Sequence, residues 1–167
     1  MCVRGIFLIC FLALAGCASN VPGKTEFAPW KLPDNHPREV VQILNGHYGE
    51  QDFSLQIRLS LTGERLKLAG VDALGRHAFD ILWDTAGVRA GKADWVSDKL
   101  NAVDILKVII ATYWPADDPM QAQVADRAAN LEITYQTTRE NAWNETVVIK
   151  DPKTDYEMTI ISYELTE

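Results

Sequence analysis

The stretch that decides the fold is "DFSLQIRLSL", Asp52 to Leu61. Phe53, Leu55, Ile57, Leu59 and Leu61 fall on one side of an extended chain, and Ser54, Gln56, Arg58 and Ser60 on the other. Successive side chains of a strand point to opposite faces, so this period of two reads as a strand with one face buried. The neighbouring segments repeat the pattern. "TGE" turns the chain into "RLKLAGV", with Leu66 and Leu68 on the buried side. "HAFDILWD" alternates Phe79, Ile81 and Trp83 against Asp80 and Asp84, and "TAG" turns it into a short strand near Val88 and Ala90. Before them, "VVQILNGHYG" supplies a first strand. Turns recurring at about every ten residues describe an antiparallel meander.

The period then changes. "NAVDILKVIIATYWP" (Asn101 to Pro115) reads as a helix, with Asn101 or Ser97 as its cap and Pro115 as its stop. Val103, Ile105, Leu106, Val108, Ile109 and Ile110 cover most of its circumference, so this helix is surrounded rather than laid on a surface. "DDPMQAQVADRAANL" is a looser linker with room for a helical turn. Three strands follow: "LEITYQT", "ETVVIKD" and "YEMTIISYEL", the last placing Met158 and Ile160 with Tyr156 on one face. The expected fold is α+β: a strongly curved antiparallel sheet, an unclosed half-barrel of about eight strands, wrapped around one or more helices.

The N-terminal segment sets the expected compartment. After Arg4, "IFLICFLALAG" runs apolar without a charge, long enough for a secretory signal and short of the ~20 residues of a membrane-spanning helix. It ends in "LAGC", Leu14 to Cys17, which resembles the lipobox of bacterial lipoproteins. That resemblance implies removal of residues 1–16, diacylation of Cys17, and, with Ala18 next, sorting to the outer membrane. "ASNVPGKTEFAPWKLPDNHP" (Ala18 to Pro37), rich in proline, reads as an extended tether, so residues 17–37 are anchor and tether and 38–167 one domain. All three cysteines lie within the first seventeen residues, which leaves no disulfide within the processed chain. Sixteen Lys and Arg against 23 Asp and Glu give a net charge of −7, which becomes −8 once Arg4 is removed (15 minus 23). Such a balance suits neither nucleic acid nor an anionic lipid surface, so membrane attachment falls to the lipid.

Taken together, the lipobox, the Pro-rich tether, the meander with "ALG" before its fourth strand, the apolar helix ending in "YWP" and the final strands resemble the LolA/LolB superfamily. The likeness is strongest to LolB-like outer-membrane lipoproteins and to a related lipoprotein group built on a domain of unknown function. This resemblance implies a half-barrel with a hydrophobic cavity that accepts acyl chains, a periplasmic carrier protein as a partner, and an exposed hydrophobic loop residue. Leu74, in "VDALGRH", is the candidate for that loop position, and packing under its own turn is the alternative. The candidate cavity lining is the inward face of the strands and the helix end: Phe53, Leu55, Ile57, Leu59, Leu66, Leu68, Phe79, Ile81, Trp83, Trp114, Met158 and Ile160. For Trp83 and Trp114, core packing and cavity lining are both open. Trp30 in the tether and Trp95 after the fifth strand are expected at the surface, in reach of lipid headgroups.

One string points elsewhere. "ILWDTAGVRAGK" (Ile81 to Lys92) spells part of a GTPase switch and the end of a phosphate loop. A phosphate loop needs G-x-x-x-x-G-K-[ST]; "GVDALGRH" has Arg76 and His77 at the last two positions, and "GVRAGKA" is one residue short, with Ala93 where the hydroxyl belongs. There is no N-K-x-D for a guanine base, no G-x-S-x-G and no H-E-x-x-H. His36, His47 and His77 are far apart and lack metal-ligand spacing. The expectation is therefore a non-catalytic protein without cofactor or metal. It would be an outer-membrane lipoprotein facing the periplasm that binds or transfers an acyl chain, lipid or lipidated partner. The alternative is an accessory envelope lipoprotein working through protein–protein contacts.

Overall fold

A computed structural model describes residues 27–98 and 100–165. The signal segment, Cys17 and the first part of the tether lie outside the described residues.

Eight antiparallel strands form one sheet in the order β5-β4-β3-β2-β1-β8-β7-β6. They are β1 (Arg38–Tyr48), β2 (Gln51–Leu61), β3 (Leu66–Asp72), β4 (His77–Asp84), β5 (Gly87–Lys92), β6 (Glu132–Tyr135), β7 (Thr146–Asp151) and β8 (Tyr156–Glu164). Two meanders, β1 to β5 and β6 to β8, are joined where β8 pairs with β1 in the middle of the sheet. Its edges, β5 and β6, do not pair, so the half-barrel stays open. Three helices connect the meanders: α1 (Ala102–Tyr113), α2 (Met120–Gln123) and α3 (Ala125–Ala128). Strand phases follow the sequence, with Leu55, Ile57, Leu59 and Leu61 buried on β2 and Leu66 and Leu68 on β3. On β4 the strict alternation breaks. The register shifts opposite Gly70 and Val71, and Ala78 and Phe79 are both buried. The Phe79 ring lies where a side chain on residue 70 would be: a Cβ there would stand 2.8 Å from it, so only glycine fits.

Helix α1 fills the concave face. Asn101 caps it, its Oδ1 accepting the Val103 N–H at 2.8 Å, which satisfies a donor the helix cannot pair itself. Every residue from Val108 to Trp114 is buried. Beyond its C-terminus lies an aromatic cluster: Trp83 meets Phe27 at 5.3 Å and Trp30 at 5.1 Å between centroids, Trp30 meets Trp114 at 6.4 Å, and Trp143 meets Trp114 at 6.2 Å and Tyr113 at 4.5 Å. This cluster closes the end of the half-barrel formed by the start of β1 and the end of β2.

Trp30 corrects the sequence reading. It is buried, its Nε1–H donating to the Thr62 carbonyl at 2.8 Å. The Trp83 indole likewise donates to the Ala28 carbonyl at 3.0 Å, and the Trp30 N–H to the Asp84 carbonyl at 3.2 Å. From Phe27 onward the proline-rich segment is thus packed onto the domain as part of its closed end. Proline content described its extended backbone; the burial of its aromatics against Trp83 decided its place. Truncating Trp83 to alanine is expected to cost about 3–5 kcal/mol of stability in guanidinium unfolding, because the closed end cannot collapse around the gap. Trp95→Ala, on the exposed rim, is expected to change stability by under about 1 kcal/mol in the same assay.

Candidate functional site

The other end of the half-barrel is open. Between the N-terminal half of α1 and the β1–β2 hairpin lies a cleft of about 500 Å³. Phe53 and Leu55 of β2, Ile105 and Val108 of α1, Leu100, Val96 and Tyr156 supply its apolar walls. Asp52, Asp72, Asp104 and Arg127 bring charge to it, and Trp95 stands at its edge.

Of the twelve lining candidates read from the sequence, Phe53 and Leu55 border this cleft. Ile57, Leu59, Leu66, Leu68, Phe79, Ile81, Trp83, Trp114, Met158 and Ile160 are buried core residues and are not among its walls. They face inward as expected, but α1 and the aromatic cluster occupy the space they face. For Trp83 and Trp114 the open question closes in favour of core packing. The residues the sequence reading missed are Arg127 of α3 and the apolar walls Val96, Leu100, Tyr156 and, on α1, Ile105 and Val108. The helix was read as filler, whereas its N-terminal turns also form a wall.

Arg127 is held by Asp151, Nη1 to Oδ2 at 2.5 Å, with the aspartate 2% exposed. Burial alone would raise the Asp151 pKa. Hydrogen bonds from Arg127, Thr154 and the Lys153 N–H, with the Arg127 charge, outweigh that and hold it below the usual carboxylate value of 3.8. A signal for this pair was present in "TVVIKD": Asp151 is in phase with the buried Val147 and Ile149, and an acid on a buried face calls for a cation. The guanidinium also lies 5.7 Å from the Tyr156 ring, and burial pushes the Tyr156 pKa up.

The rim is built around Asp72. Its Oδ1 accepts the N–H groups of Leu74 (3.0 Å) and Arg76 (2.8 Å), and its Oδ2 accepts from Arg76 Nε at 2.7 Å. Gly75, at φ +77°, closes the turn. So fixed, the turn holds Leu74 outward at 81% exposure, and the alternative of packing beneath it does not occur. Arg76 in turn lies 4.4 Å over the Trp95 ring, whose Nε1–H donates to the His77 carbonyl. Trp95 is 45% exposed, as its sequence position suggested. Two large apolar side chains are therefore presented to solvent beside the cleft by a network that fixes both.

The side chains of His36, His47 and His77 lie beside the carboxylates of Glu164, Asp155 and Asp80 respectively. No helix among the described residues is long and apolar enough to cross a membrane. The strand–helix–strand order, the buried α1 and the cleft all fall within the segment matched by one family model. Residues 39–164 match it, and the chain belongs to that family, described as a protein of unknown function (DUF3261). No curated protein matches the chain.

Replacing Arg127 by methionine strands Asp151 in the interior, and a loss of about 3 kcal/mol at neutral pH is expected. The sign of its pH dependence follows from the lowered Asp151 pKa. In the native protein the pair's contribution is fully present above pH 3.8 and fades as pH falls through the lower folded-state value. In Arg127→Met the buried carboxyl prefers its proton, so the gap between the two proteins should shrink as the pH drops toward 4. Urea unfolding at a series of pH values measures it.

Proposed function

We propose that this protein is an outer-membrane lipoprotein, anchored through acylated Cys17 and facing the periplasm, that binds an acyl chain, on a lipid or a lipidated partner, in the open end of its half-barrel. One observation carries the reading: the concave face is packed solid at one end and opens at the other into an apolar cleft of about 500 Å³. Small-molecule pockets run from ~300 to ~1,000 Å³ with largely apolar walls, and this cleft fits that description. The exposed Leu74 and Trp95 support it further, because a molecule that hands on an acyl chain needs apolar contact with the membrane or carrier at the point of exchange. The LolA/LolB resemblance supports the same reading, with a periplasmic carrier protein as donor and the outer membrane as destination.

The test uses the chain carrying Cys17→Ser, so that no acyl group of its own competes. Saturable binding of a fluorescent monoacylglycerol is expected, weakened at least ~10-fold by Phe53→Asp, since a charge in an apolar wall costs over 1 kcal/mol. Trp83→Phe, at the closed end, should leave the affinity unchanged. Absence of saturable binding would sink the proposal in favour of an accessory lipoprotein acting through protein contacts. Leu74→Glu is expected to leave uptake intact and to slow delivery of the probe to vesicles of phosphatidylethanolamine and phosphatidylglycerol.

A further inference from the structure

If the cleft binds an acyl chain, as proposed above, its apolar walls say where the chain lies, and its charges say what the polar end can carry. Each cation that the structure places at the cleft already faces a carboxylate. Arg127 is bound to Asp151 at 2.5 Å, and Arg76, stacked on Trp95 at the edge, to Asp72 at 2.7 Å; Lys107 of α1, which lines a neighbouring groove and not this cleft, pairs with Asp104 at 3.7 Å. The positive end of α1 also borders the cleft, but the Asn101 side chain caps it and Asp104 stands in its first turn. Asp52, exposed on the rim, forms no ion pair among the described residues. An anionic head entering here finds each described cation engaged and one carboxylate in excess. Taking an anion out of water is unfavourable unless a cation meets it, and here the nearest charge repels it.

Volume limits the chain. A methylene fills about as much space as a water molecule in the liquid, ~30 Å³, so the cleft holds roughly sixteen of them. That is one acyl chain, not the several that a lipoprotein anchor or a phospholipid carries. We infer that the cleft takes a single acyl chain whose polar end bears no negative charge, an ester, amide, alcohol or amine, and discriminates against free carboxylates and phosphate monoesters.

The experiment displaces the neutral dye Nile red from the full chain carrying Cys17→Ser at pH 7.5, with each competitor below its micellar concentration. The competitors share one chain length: monododecanoyl glycerol, dodecylamine and sodium dodecanoate. Glycerol ester and amine are expected to displace the dye at concentrations at least tenfold lower than dodecanoate. Asp52→Lys, which puts a cation on the exposed rim, should narrow that gap to threefold or less, each competitor being read against that variant's own affinity for the dye. Equal or tighter binding of dodecanoate to the unaltered rim overturns the head-group inference while leaving acyl binding standing. Failure of all three competitors overturns both. Stronger displacement by a two-chain lipid, didodecanoyl glycerol, than by the one-chain ester overturns the single-chain limit.

Discussion

Burial of α1 against the concave face of the sheet is the constraint on which the rest of the structure depends. The helix has almost no polar side over its last two turns, so it is stable only where protein covers it all round. A flat sheet covers one side of a helix; a strongly curved one covers more than half. Curvature is therefore what α1 requires, and the right-handed twist of a long antiparallel sheet, sharpened by the bulge at Ala78, supplies it. Coverage of the remaining side falls to α2, α3 and the Phe27–Asn35 segment, which explains why that segment, though rich in proline, is packed.

Length then decides where the cleft lies. A helix of 12 residues is about 18 Å long at 1.5 Å per residue, whereas strands of 11 residues run to about 36 Å. One helix cannot line such a sheet from end to end. At the C-terminal end of α1 the shortfall is met by four tryptophans, a tyrosine and a phenylalanine, the side chains with the most volume to give. At the N-terminal end Tyr48, Phe53, Trp95 and Tyr156 line the walls without bridging them, and the walls from Phe53 to Val108 stand apart. The asymmetry is written in composition: four tryptophans fill one end, while acidic side chains join aromatic and aliphatic ones at the other.

That asymmetry was legible only in part. Period-two runs located the strands because each strand has one buried face, and Asn101 and Pro115 marked the helix because caps and stops act locally. What the sequence hid were long-range choices. Trp30 went to the core because Trp83, 53 positions later, had a face to share, and no local pattern carries that. Arg127 pairs with Asp151 across 24 residues, one end in a segment without periodicity. The inward faces were read correctly as apolar but not as occupied, because periodicity reports which way a side chain points and says nothing of what it meets. Gln42 and Ser162 show the same limit: both sit in phase with buried neighbours, and their hydrogen bond, continued from Ser162 to Tyr113, becomes visible only once β1 and β8 are side by side.

The buried polar groups also differ between the two ends. At the closed end, Gln42, Ser162 and Tyr113 form a neutral buried network, and burial pushes the Tyr113 pKa up so that it stays protonated. Neutral hydrogen bonds suit a region that never opens, since no counter-charge has to be found for them. At the open end the polar groups are ionised and cross-paired: Asp151 with Arg127, Asp72 with Arg76, Asp104 with Lys107. Paired charges hold the walls of a gap apart, because closing it would drag them out of water, while an apolar interior between them stays open to a chain. Nor can that gap be relieved by a small shift of α1, because Asn101 fixes its first turn and Trp114 its last. A half-barrel built this way keeps a cleft because its two ends are stabilised by different physics.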